Sequence, residues 1–295
     1  VAARDAAAVE QLLEAGADPN TPDASGDPLL RLVLLDGSTD IIEPLIAYGA
    51  DVNALDSRGD ALLPQAARAG QLEAVRLLLN NGADVMGTFS TRVGGVVSED
   101  GTSLYHAAYY GHAEVVQLLI DYGADVNQGE TWFGETPLHA ATWQDRAEVA
   151  RILLEHGADP DATSELDQGS TPLHYAASVG SPNTIPVLLQ GGANPDAQTG
   201  TGWTPLMRAI RRLESDTLVQ VLVALLEGGA NPDLQDENGN TALHHAVQVR
   251  QVETVRLLIE FGADVTLQNN AGRTALDLAV DDDIADILRE AGVNQ

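Results

Sequence analysis

The sequence predicts an all-α repeat solenoid, and three observations carry that expectation. A Gly-Ala-Asp or Gly-Ala-Asn triplet starts at Gly16, Gly49, Gly82, Gly123, Gly157, Gly192, Gly229 and Gly262, at intervals of 33, 33, 41, 34, 35, 37 and 33 residues. A second marker keeps step with it. It reads Thr136-Pro137-Leu138-His139, Thr171-Pro172-Leu173-His174, Thr204-Pro205-Leu206-Met207, Thr241-Ala242-Leu243-His244 and Thr274-Ala275-Leu276-Asp277, with degraded copies at 28–31, 61–64 and 102–105. Third, 44% of the residues are hydrophobic but only 4% are aromatic, so the apolar mass is Ala, Leu and Val. A fixed period of this length is the mark of stacked supersecondary units that bury a core only by packing on one another.

Each marker predicts an element. A Thr followed by Pro supplies a capping hydroxyl and then a residue whose missing N–H costs nothing at the first helical position. The Leu after it points into the core. The Ala pairs that follow, such as Ala66-Ala67, Ala107-Ala108, Ala140-Ala141 and Ala176-Ala177, let neighbouring helices approach closely. A second, outer helix is read from the apolar spacing of Val115-Val116-Leu118-Leu119 and Val255-Leu257-Leu258. The triplet Gly ends it with a left-handed cap, and the Asp or Asn behind it begins a turn.

Helix, turn, helix and hairpin-like loop, with both markers in phase, resembles the ankyrin repeat. The resemblance covers essentially the whole chain. It implies an array of paired antiparallel helices with hairpin-like loops, forming a single domain over 1–295. Nine repeats are expected: a partial one at 1–20, then 21–53, 54–86, 87–127, 128–161, 162–196, 197–233, 234–266 and a C-terminal cap at 267–295. Aligned on Gly16, the chain starts inside a repeat, with an outer helix over roughly 6–14. Asp281, Asp282 and Asp283 would complement the dipole at the start of the last helix. Pro64 is tolerable in a first helical turn. Pro44 and Pro186 are expected inside outer helices, where each removes a donor and kinks its helix, weakening the second and sixth repeats.

Chemistry is sparse. No metalloprotease, nucleophile-elbow, phosphate-loop or calcium-loop motif is present, and Gly200-Thr201-Gly202 lacks the third glycine of a dinucleotide loop. His139, His174 and His244 recur at one repeat position, so the array spaces them along its length; they are expected to hydrogen-bond backbone between repeats. His112 has the same structural expectation, whereas His106, His156 and His245 are expected at surface or groove positions. The chain is therefore expected not to be an enzyme, and to need no cofactor and no metal. With no Cys, there is no disulfide and no thiol nucleophile.

The formal charge is −29, and all 15 basic residues are Arg. Such a surface repels phosphate backbones and anionic lipid, which argues against nucleic-acid and membrane partners. Acidity without lysine reads first as a compositional bias of the source, and second as a complement to a partner with basic patches. No run of 18 apolar residues is present to span a membrane. A soluble, monomeric protein is expected, with the cytoplasm slightly favoured and secretion left open.

Repeats of this kind bind through hairpin tips and inner helices, and the resemblance implies that map for a protein or peptide partner. Eight of the twelve aromatics lie between Phe89 and Trp143. The expected partner-binding residues are Phe89, Tyr109, Tyr110, Trp132, Phe133, Trp143 and Trp203. Arg208, Arg211 and Arg212, the only local basic knot, either neutralise nearby acids or meet an acidic group on the partner. Tyr105 and Tyr122 are expected to pack. The 41-residue interval places eight extra residues within 85–101, and Gly94-Gly95 reads as the turn of an elongated finger. A four-residue insertion near 212–216 is expected between the helices of the seventh repeat. Asn53 and Asn127 sit in Asp-Val-Asn, which resembles the asparagine-hydroxylation context of some ankyrin repeats, and is also an ordinary turn. An alternative function is the recognition arm of a larger enzyme or secreted effector.

Overall fold

The computed structural model describes residues 5–34, 37–93, 96–130, 132–165, 168–212 and 215–293. They pack as two compact units, 1–141 with 155–158, and 142–154 with 159–295.

In the first unit the chain forms α1 (Ala6–Glu14), α2 (Leu29–Leu34), α3 (Thr39–Ala47), α4 (Leu62–Arg68), α5 (Leu72–Asn80), β1 (Thr88–Val93), β2 (Val96–Thr102), α6 (Ser103–Tyr110), α7 (Ala113–Asp121) and most of α8 (Pro137–Trp143). Inner helices α2, α4 and α6 pack in one row, outer helices α1, α3, α5 and α7 in another, and each inner helix touches the outer helix that follows it. The sequence dictates both rows. The outer helices bury one stripe at helical spacing: Ala74, Val75, Leu78 and Leu79 in α5, and Val115, Val116, Leu118 and Leu119 in α7. The inner helix α4 is buried over Leu62–Ala67, which small Ala66 and Ala67 permit.

The extra residues before α6 form the expected finger. β1 and β2 pair antiparallel from Thr88 opposite Thr102 to Val93 opposite Val96, with a register shift at Thr91 and Arg92. Gly94-Gly95 lies outside the described residues. A lone hairpin is marginal in water, but this one is anchored at its base, where Ala61 N donates to Thr88 O at 3.1 Å. Its last residue, Thr102, caps α6 by accepting from Tyr105 N at 3.2 Å.

The second unit holds the end of α8, α9 (Ala147–Glu155), α10 (Pro172–Val179), α11 (Thr184–Gln190), α12 (Pro205–Arg212), α13 (Ser215–Glu227), α14 (Ala242–Gln248), α15 (Val252–Glu260), α16 (Ala275–Leu278) and α17 (Asp282–Val293). Inner helices α10, α12, α14 and α16 stack in order, with α11 against α13 and α15 against α17 on the outer side. Asp282 and Asp283 open α17 as expected. Pro44 does lie inside α3. Pro186 does not sit deep in a helix: α11 starts at Thr184, so Pro186 falls in the first turn, where its missing donor has no intrahelical partner to lose. Helix α13 runs to 13 residues, against 9 in α5, α7, α9 and α15; residues 213–214, within the insertion expected near 212–216, lie outside the described residues.

Within each unit a line of side-chain-to-backbone bonds ties loop to loop. Asn20 donates to Gly49 O at 2.9 Å and accepts from Asp51 N at 2.7 Å; Asn53 does the same with Gly82 O and Asp84 N. Further along, Asp161, Asp196 and Asp233 accept from Asn194 N, Asn231 N and Asp264 N at 2.9, 2.7 and 2.8 Å. The triplet glycines that precede these bonds adopt positive φ, +89° at Gly123. A Cβ there would meet nothing within 4 Å, so the backbone angle, not crowding, demands glycine.

Candidate functional site

The recurrent histidines are structural. In His244, Nδ1 accepts from Thr241 N at 3.2 Å and lies 2.9 Å from the Thr241 hydroxyl. Nε2 therefore carries the proton and donates to Arg273 O, 29 residues on, at 3.0 Å. His174 repeats this with Thr171 and donates to Trp203 O at 2.8 Å. His139 caps Thr136 in the same way. Other residue types do the reaching where His is missing. Tyr105 donates to the Glu135 carboxylate at 3.1 Å, and Arg31 Nε donates to Asp56 at 3.1 Å. Burial, with Glu135 beside it, holds the Tyr105 phenol above its ordinary range, so it stays a donor. Hydrogen bonds outweigh burial at Asp56: the Asp60 and Arg58 N–H groups and the Arg58 guanidinium hold its carboxyl below the usual range. His112 is structural too, donating from Nε2 to Arg68 O at 2.9 Å.

The residues that vary lie on one face of the inner helices. They stand four, seven and eight positions after the capping residue: Tyr175, Ser178 and Val179 after Thr171, and Arg208, Arg211 and Arg212 after Thr204. Spacings of three and four bring such side chains together on a helix surface. In the second unit Trp143, Tyr175, Ser178, Val179, Arg208 and Arg212 line a cavity of about 270 Å³, with Ser170 and His174 at its wall. Trp143 is 43% exposed, and its ring meets Tyr175 edge-on at 5.5 Å. A neighbouring hollow of about 500 Å³ is lined by Gln168, Thr201, Trp203, Arg208, Arg211 and Arg212. Arg208 lies over the Trp203 ring at 5.7 Å. The loop that carries Trp203 is fixed by Gly202, where φ is +76° and a Cβ would come within 2.9 Å of Asp236 Cα.

Two histidines expected at the surface are buried. His106 is 1% exposed and edges against Tyr105. His245 is 4% exposed, lies 2.9 Å from Asp236 through Nε2 and packs on Trp203 at 4.6 Å. Burial pushes His245 below its ordinary value despite Asp236, so it is neutral. Both occupy the fourth position after the capping Thr, the same place as Tyr175 and Arg208. That shared position is the signal that could have placed them, and Tyr175, in advance.

The expected binding residues fall into separate groups. Tyr109 and Tyr110, expected on an exposed helix end, are half-buried. Their rings meet at 5.1 Å, and Tyr110 also accepts from Arg68 Nε at 3.1 Å beneath the guanidinium. Trp132 and Phe133 form an open tip, 58% and 43% exposed. The Glu130 carboxylate braces this tip by accepting from Trp132 N at 2.6 Å and from Phe133 N. Phe89 stands in β1 opposite Gly101, and its side chain lies outside the described residues. Trp143, Arg208 and Arg212 come together in the cavity, while Trp203 and Arg211 line the hollow beside it. Tyr105 packs as expected, at 8% exposure; Tyr122 is 41% exposed and reaches Asn80 with its hydroxyl. Asn53 and Asn127 spend their amides on Gly82 O and Gly157 O.

Among the described residues no group of three or more His, Asp or Glu is placed to hold a metal, and no helix is long and apolar enough to cross a membrane. No curated protein matches the sequence. Solved structures do. The human ASB11 ankyrin repeat domain is 31% identical, covering 78% of this chain and 96% of its own, with a TM-score of 0.62. The ankyrin repeat domain of Bcl-3, described as a unique member of the IkappaB protein family, is 30% identical, covering 78% of this chain and 99% of its own, with a TM-score of 0.68. A family model for ankyrin repeats, three copies at a time, matches residues 1–88, 91–164, 161–225 and 214–295. The markers, the paired helices and these matches agree: the chain belongs to the ankyrin-repeat family.

Proposed function

We propose that this chain is a scaffold of nine ankyrin repeats that holds a protein or peptide partner on its inner-helix face and hairpin tips. Ankyrin-repeat domains generally mediate protein–protein interaction. The observation that carries the assignment to these surfaces is the face built from Trp143, Tyr175, Arg208 and Arg212. These side chains frame a cavity of about 270 Å³ in which aromatic surface stands beside guanidinium groups. The exposed Trp132–Phe133 tip supports the same reading, because rigid aromatic rings held open are typical anchors. The net charge of −29 favours a partner with basic patches elsewhere on its surface, steered in by long-range attraction.

The test is a pull-down with mass spectrometry using wild type and a variant in which Tyr110, Trp132, Phe133 and Trp143 are changed to Ala. The variant should lose the specific partners while keeping its helical circular dichroism. A verified partner that binds the folded variant with unchanged affinity would overturn the site.

A further inference from the structure

The basic knot is out of character for this chain. Acidic residues number 44 against 15 Arg, yet Arg208, Arg211 and Arg212 fall within one turn of α12. Arg211 and Arg212 are exposed, and among the described residues neither pairs with a carboxylate. Like charges this close repel one another, and an anion beside the exposed Arg212 relieves that repulsion. Arg208 and Arg212 form one wall of the 270 Å³ cavity, and Trp143, Tyr175 and Val179 supply apolar surface on it. Small-molecule pockets commonly hold roughly 300–1,000 Å³, so this cavity has room for a side chain or two of a chain lying across it. Guanidinium groups present paired donors that match a carboxylate. Their position toward the C-terminal end of α12 also sets them against the negative end of the helix dipole, which favours positive charge there.

Resting on the scaffold reading of this same face, we propose that the cavity takes a linear peptide segment in which an Asp or Glu carboxylate meets Arg208 and Arg212 and an adjacent apolar side chain packs on Trp143 and Tyr175. The net charge of −29 repels any anion that is not seated, so the segment carries one or two acids at this point and not an acidic tract. Charge thus selects twice: the surround admits a partner that is neutral or basic overall, and the knot picks out the acid within it.

The intact chain would be used to select from a displayed library of random twelve-residue peptides, and the enriched peptide would be synthesised with its acid intact, as the amide (Asp→Asn or Glu→Gln), and as phosphoserine. Enriched sequences should place an acid next to an aromatic or aliphatic residue. The amide form should bind about ten-fold more weakly to wild type, the scale of a lost charge-assisted contact. Arg212→Gln should bind the acidic and amide forms alike, and Trp143→Ala should weaken both. Because Arg212 is exposed, its replacement leaves the fold intact. Peptides enriched without an acid, or indifferent to both substitutions, would overturn the proposal and leave the scaffold reading standing. Phosphoserine binding about ten-fold tighter than the acid would replace the carboxylate with a phosphate as occupant. Absence of any enriched peptide would overturn the proposal, and the scaffold reading would then stand or fall by the pull-down.

Discussion

Replacing His244 with Ala removes the bond that both starts α14 and ties it to the next loop. Thr241 N loses its acceptor at 3.2 Å, at a site where Thr241 is 1% exposed and water cannot substitute. A buried donor left unsatisfied costs about 1–3 kcal/mol. Arg273 O loses the Nε2–H donor at 3.0 Å, but it still accepts from Asn269 N at 2.9 Å, so only about 0.5–1.5 kcal/mol goes with it. The Thr241 hydroxyl still caps the helix, because its contact to residue 244 is with the backbone N. The sum is about 2–4 kcal/mol, mostly from the orphaned Thr241 N–H. Urea unfolding followed by circular dichroism should show the midpoint falling at unchanged slope. Since repeats contact only their neighbours, hydrogen exchange should rise first around Thr241 and the 269–273 loop. His156→Ala, at an exposed position, should change stability by no more than about 0.5 kcal/mol. A His244→Ala loss no larger than that of His156→Ala would refute the assignment of these histidines as inter-repeat staples.

Acid should weaken the same region. His244 and His245 are both held below the ordinary value of 6.5 by burial, against the opposing pull of Arg273 O and Asp236 respectively. The unfolded chain then takes up protons that the folded chain refuses, so their contribution is complete above about pH 6.5 and is lost as the pH falls toward the folded values. Urea midpoints should drop between about pH 7.5 and about pH 5.5, and a His244→Gln, His245→Gln double variant should flatten that dependence. Gly202→Ala should cost more than about 1 kcal/mol, because a positive φ and a 2.9 Å approach to Asp236 Cα act together; an unchanged melting temperature would refute this. Trp132→Ala and Phe133→Ala should each shift stability by less than about 0.5 kcal/mol, since rings this exposed bury little; a larger loss by thermal melting would mean that the tip is structural.

The fold was legible because its physics repeats. Caps, Ala pairs and glycine turns recur in phase, so each copy corroborates the others, and the one long interval announced the β1–β2 finger. The histidines at 139, 174 and 244 were legible for the same reason. The site was less so. Aromatic content along the chain pointed to Tyr109 and Tyr110 as exposed, but their neighbours, Arg68 above all, half-bury them. Chain-wise clustering also passed over Tyr175, which is alone in its repeat but meets Trp143 from the repeat before. Reading down the repeats at the fourth, seventh and eighth positions, instead of along the chain, collects Trp143, Tyr175, Arg208 and Arg212 at once. It also places His106 and His245, whose burial comes from packing by adjacent repeats.

The loop-to-loop bonds have a consequence for how such a chain changes over generations. Asn20, Asn53, Asp161, Asp196 and Asp233 each grip a backbone N–H of the following loop, and the histidines grip a backbone carbonyl. Backbone groups are the same in every residue. A copy joined in this way does not need to recognise the side chains of its neighbour, so a repeat can be duplicated, dropped or exchanged in one genetic event and still dock. The variable positions on its inner helix, which stand outside the loop-to-loop bonds, then diverge without disturbing the joint, which lets the array lengthen its reach and rewrite its specificity as separate inheritances.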